Sequence, residues 1–133
     1  MKVLAIIVGG FLAASLGGCA STSPDAHAAL ERAVAFHRAV DSGDAHAACD
    51  LLAPHTVAEL EDQADAPCTE ALAGLELTAG GDAVRSTAYG LAAEVVLAGD
   101  TVFLTHASGG WLVTAAGCTP VPDQPYNCEV KGG

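Results

Sequence analysis

Residues 82–118 read DAVRSTAYGLAAEVVLAGDTVFLTHASGGWLVTAAGC, and this stretch decides the fold. Four runs rich in β-branched, leucine and aromatic residues follow one another: Val84 to Tyr89, Leu91 to Ala98, Thr101 to His106 and Trp111 to Ala116. Gly99-Asp100 and Ser108-Gly109-Gly110 are the short glycine-containing breaks that close hairpins, and Gly90 marks a bend or bulge between the first two runs. The stretch therefore predicts a four-stranded antiparallel meander. Beyond it, Thr119 to Gly133 holds three prolines and reads as an irregular tail.

Upstream of Gly74 the period is helical instead. Ser23-Pro24 has the form of an N-cap followed by proline at the first helical position. From Asp25 to Asp41 the apolar residues Leu30, Ala33, Val34, Phe36 and Val40 recur at three- and four-residue steps, with Glu31, Arg32 and Arg38 elsewhere on the wheel. Ser42-Gly43 ends this helix. Asp44 to Leu52 predicts a second, short helix carrying Cys49, interrupted by Pro54. Thr56-Val57-Ala58-Glu59 has capping-box spacing and opens a third helix, acidic through Glu59, Glu61, Asp62 and Asp65. Pro67 breaks it, and Cys68 to Ala73 forms a last helical turn. Helices followed by a meander define an α+β domain with the helices on one sheet face.

The 133-residue chain has room for one domain and not for a separate cofactor-binding half. Its 16 acidic and five basic side chains leave no basic stripe to meet phosphate, which argues against a nucleic-acid partner. Half of the residues are hydrophobic but only 5% are aromatic, and alanine is abundant. Part of that hydrophobic fraction belongs to the N-terminus. Met1-Lys2 followed by an apolar run from Val3 to Leu16 has the charged and apolar regions of an export signal, and is short of a comfortable membrane span.

That run ends in Leu16-Gly17-Gly18-Cys19. The tetrapeptide resembles the lipobox of bacterial lipoproteins, in which the cysteine thiol is acylated before cleavage. The resemblance implies that residues 1–18 are a cleaved signal, that Cys19 is the lipidated first residue, and that 19–25 form a tether ahead of a single domain at 26–133. In that domain, helices occupy 26–73, the meander 82–117 and the tail 118–133. An ordinary secretory signal with a coincidental cysteine is the alternative. Removing residues 1–18 takes Lys2 and no acid, so 115 residues remain with a formal charge of −12. Such a chain is repelled by anionic surfaces, and a lipid, rather than electrostatics, would hold it on the extracytoplasmic side of the cell membrane.

With Cys19 assigned, Cys49, Cys68, Cys118 and Cys128 remain, and export makes disulfides the expected state. Of the three possible pairings, Cys49–Cys68 with Cys118–Cys128 is favoured because each closes a short local loop. The latter bridge would pin the tail. Zinc is disfavoured, since no two cysteines have finger-like spacing.

The order of elements resembles the nuclear-transport-factor-like or ketosteroid-isomerase-like cone, in which a curved sheet wraps a long first helix. More narrowly, Ser42-Gly43-Asp44 leading into Cys49-Asp50-Leu51-Leu52-Ala53-Pro54, the later Cys68, the run Gly109 to Cys118, and Pro125-Tyr126-Asn127-Cys128-Glu129-Val130 resemble a group of small lipoproteins from GC-rich Gram-positive bacteria. The cone fold hosts enzymes and binding modules alike, so the resemblance implies no activity.

An isomerase-like cone needs an acid or base facing a dry cavity. The candidates are His37, which shares the apolar stripe of the first helix, and Tyr89, Glu94 and His106 on the strands. Each also has a plainer reading: His37 packed at the core with one hydrogen bond, Tyr89 a half-buried wall, Glu94 on the outer face, and His106 solvated beside a hairpin. Trp111 reads either as a ligand platform at the cone mouth or as the principal core aromatic. No histidine pair has metal-ligand spacing, and no cofactor motif is present. The reading favoured is a non-enzymatic module that binds a small apolar ligand or a membrane-protein partner. An isomerase- or hydratase-type enzyme and a structural envelope component are the alternatives.

Overall fold

The computed structural model describes residues 25–132. Within them the chain forms α1 (Ala26–Asp41), α2 (Ala45–Asp50), α3 (Pro54–Ala64) and α4 (Cys68–Ala73). Five strands follow: β1 (Ala83–Tyr89), β2 (Ala92–Leu97), β3 (Thr101–Ala107), β4 (Gly110–Val121) and β5 (Gln124–Lys131). The expected signal, Cys19 and the Ser23-Pro24 helix start lie outside the described residues. The observed cap of α1 is Asp25, whose carboxylate accepts the His27 amide at 2.9 Å.

The class is α+β, and the sheet is antiparallel and open, with strand order β1-β2-β3-β4-β5. Its five strands correct the expected four. The segment read as an irregular tail continues β4 to Val121, turns at Pro122-Asp123 and returns as β5, pairing Cys118 with Cys128 and Ala116 with Val130. The prolines fit for a physical reason. Pro125 lies on an edge strand, and at Pro120, where the β4–β5 register shifts, β4 has already passed its last β3 partner. Neither position costs a central ladder hydrogen bond.

Two helix expectations also change. Pro54 does not interrupt a helix but starts α3, where its missing N–H is no loss. Thr56 is therefore not a cap; it is fully buried, and its hydroxyl donates to the Thr114 carbonyl at 3.1 Å. On α1 the buried face is Ala29, Ala33, Phe36, His37 and Ala39, while Leu30, Val34 and Val40 pack only at the margin. Alanines on this face let the helix axis approach the sheet closely, so Phe36 fills the middle.

The core lies between the helices and one face of the sheet: Ala93, Val95 and Leu97 of β2, Val102 and Leu104 of β3, Trp111, Val113 and Ala116 of β4, and Val130 of β5. The α2–α3 connection adds to the sheet itself. Leu52 bridges Val113 in parallel, in the place beside β4 that β5 does not reach. Two disulfides complete the frame. Cys49–Cys68 joins α2 to α4, and Cys118–Cys128 spans β4 and β5.

Candidate functional site

The first half of α1 crosses one end of the sheet. Directly opposed residues of paired strands share a face, so His106 and Trp111 both point toward α1 from the β3–β4 hairpin. Their rings meet edge to face at 5.1 Å. Ala28, Glu31, Arg32 and Ala35 form the α1 stripe above them, spaced by three and four residues. Because Ala28 and Ala35 are short, the two layers do not close here. They leave a hollow of about 320 Å³ lined by Ala28, Glu31, Arg32, Ala35, His106 and Trp111, with Asp25 and Gly110 at its margin.

Gly110 has φ +113, and a β-carbon there would stand 3.4 Å from the Arg32 guanidinium, so this glycine lets the turn pass beneath the arginine. Trp111 is only 3% exposed, and among the described residues nothing accepts its indole N–H. An unpaired buried donor costs about 1–3 kcal/mol. The hollow thus combines an apolar floor with a rim carrying both signs of charge, and the indole N–H is sealed within the protein rather than open to solvent.

At the other end of β3, about 20 Å away by strand rise, a second arrangement ties the fold together. His37 Nε2 and Asp100 Oδ2 are 2.7 Å apart, and the two side chains are 5% and 2% exposed. Asp100 also accepts the Gly117 amide at 2.9 Å and the Cys118 amide at 2.8 Å. Burial pushes the Asp100 carboxyl upward, but the His37 hydrogen bond, the two amides and the attraction of His37 outweigh it. The carboxyl is held below its ordinary value. An ionised carboxylate only accepts, so the His37 Nε2–H donates. His37 Nδ1 has no partner among the described residues. Gly80 lies flat on the imidazole, where a β-carbon would come within 2.8 Å of Cγ.

The four pocket candidates do not converge. His37 belongs to the α1–turn contact with Asp100, whereas Trp111 floors the distant hollow. Glu94 alternates with the buried Ala93 and Val95, so it faces away from the helices, and Arg85 donates to it at 3.0 Å. Tyr89, expected as a half-buried wall, is 62% exposed, because its pairing with Ala92 puts it on the outer face of the sheet with Glu94, away from the helices. His106, expected to be simply solvated, packs on Trp111. Asp100 was legible only as a turn residue. Its partner lies 63 positions away, and Gly-Asp is ordinary hairpin chemistry.

Compared with known proteins, the chain matches no protein family, no curated protein and no solved structure.

Proposed function

We propose that the protein is a lipid-anchored, extracytoplasmic binding module that holds a small, largely apolar ligand in the hollow beneath α1. Trp111 carries this reading: its indole floors a hollow of about 320 Å³, near the lower limit for small-molecule pockets. A ligand with an apolar body would cover Ala28, Ala35 and the Trp111 face. Arg32 and Glu31 at the rim would meet its polar end.

The anchor half of the proposal rests on Leu16-Gly17-Gly18-Cys19 and the apolar run before it. Placement among cone-like domains, and among small lipoproteins of GC-rich Gram-positive bacteria, is supported by the long first helix lying over an antiparallel sheet and by the two local disulfides. Native mass spectrometry of the mature chain, extracted from its host in mild detergent, tests the binding half. A discrete adduct, absent from Ala35→Leu, supports it. A bare mass under conditions that keep the fold intact rejects it.

A second reading has one specific observation behind it. Asp100 orients His37 as an acid–base pair requires, and His37 helps line a hollow of about 240 Å³ with Val34, Arg38, Asp41, Gly81 and Leu97. An isomerase- or hydratase-type enzyme would use Nδ1 as its base. Glu94, on the outer face, is no longer a candidate for that role. The covered imidazole favours a structural clip. Proton exchange into small ketones in D₂O, followed by NMR, tests the enzyme reading, which requires exchange that His37→Gln abolishes.

A further inference from the structure

We propose that the end of the sheet carrying the β1–β2 and β3–β4 turns docks on the surface of the bilayer that holds the anchor, with Tyr89 and Leu91 entering its interface. This rests on the proposed lipidation of Cys19, and three observations carry it from there.

The chain enters the fold at this end. Ser86 of β1 donates to the Ala26 carbonyl in the first turn of α1, at 2.6 Å, and Asp25 lines the same hollow as Gly110 of the β3–β4 turn. Only residues 20–24 separate Cys19 from Asp25. Six residue steps reach about 20 Å at full extension, so the anchor keeps this end near the lipid.

The β1–β2 turn at this end is apolar and bare. Leu91 is 64% exposed and Tyr89 62%, two of the four large hydrophobic side chains exposed among the described residues. Backbone pairing fixes the turn firmly, since the His106 amide donates to the Leu91 carbonyl at 2.7 Å. Tyrosine suits an interface, with its ring in the apolar layer and its hydroxyl in water.

The two turns themselves carry no charge, the nearest being Asp25, Glu31 and Arg32 beside the β3–β4 turn. Although the chain carries a net charge of −11, no Asp, Glu, Lys or Arg occurs from Ser86 to Ala93 or from Thr101 to Gly117. The tips of both turns are thus free of acids, which an anionic lipid surface would repel and whose desolvation any bilayer interface would oppose.

The experiment uses the full lipidated chain in phosphatidylcholine vesicles with brominated acyl chains. Leu91→Trp and Tyr89→Trp place reporters on the turn, Gln124→Trp places one at the opposite end of the sheet, and the parent chain supplies the Trp111 background. The proposal expects the added emission at 91 and 89 to shift to the blue and to be quenched several-fold more than that at 124. If the protein stays on the vesicles and the three reporters are quenched alike, docking is overturned while the anchor stands. If the chain does not sediment with the vesicles at all, anchor and docking fall together.

Discussion

His37 on α1 and Asp100 in the β2–β3 turn, 63 positions apart in sequence, meet at 2.7 Å with both side chains almost wholly buried. Through the Gly117 and Cys118 amides the same carboxylate reaches β4. One side chain therefore joins the first helix, a hairpin turn and the strand that carries a disulfide.

Asp100→Asn keeps the shape and removes the charge, so one of three donors is left facing an amide N–H. Breaking a buried charged partnership costs on the order of 3 kcal/mol, readable as a lowered urea midpoint with an unchanged slope. The pH dependence has a definite sign. Because the folded carboxyl lies below its ordinary value, its contribution is complete above the unfolded value of about 4 and is lost as pH falls through the depressed folded value. Stability of the parent chain should fall below pH about 4 more steeply than that of Asp100→Asn. Parallel acid profiles would mean that Asp100 bears no such load.

Cys49–Cys68 closes a loop of sequence separation 19 and joins two six-residue helices that would be marginal alone. On the chain-entropy account its loss costs about 3 kcal/mol. The double variant Cys49→Ala/Cys68→Ala should lower the urea midpoint by that equivalent, and non-reducing peptide mapping of the parent should join Cys49 to Cys68. A Cys49–Cys118 peptide would contradict the structure.

Much of this fold was legible in the residues, and the exceptions share a cause. Strands β1 to β3 follow from runs bounded by Gly90, Gly99 and Gly109-Gly110, because turn chemistry is local. Strand β5 was hidden, since Pro120, Pro122 and Pro125 signal irregularity unless one knows that their N–H positions face no partner. The α1 helix was legible and so was part of its buried face, Ala33, Phe36 and His37; what was not is that alanines at 29 and 39 take the contact that larger side chains at 30, 34 and 40 would be expected to make. The hollow depends on two short side chains, Ala28 and Ala35, facing Trp111 across a packed layer. The Asp100 partnership depends on a contact 63 residues long. Neither leaves a local trace.

Cys19→Ala removes the only thiol that the lipobox resemblance assigns to acylation. The variant should move from the membrane fraction to the soluble fraction, and metabolic labelling with palmitate should disappear with it. A Cys19→Ala chain that stays on the membrane would rule out the lipid anchor.

Trp111 is the only tryptophan in the chain, so its emission reports the hollow without labelling. Titrating the mature chain with 1-octanol, an apolar body with one hydroxyl, is the most direct test of ligand binding beneath α1. The account predicts a saturable change in Trp111 emission that Ala35→Leu abolishes while leaving the thermal midpoint within a few degrees. A linear, unsaturated response, or a saturable one that persists in Ala35→Leu, would contradict it.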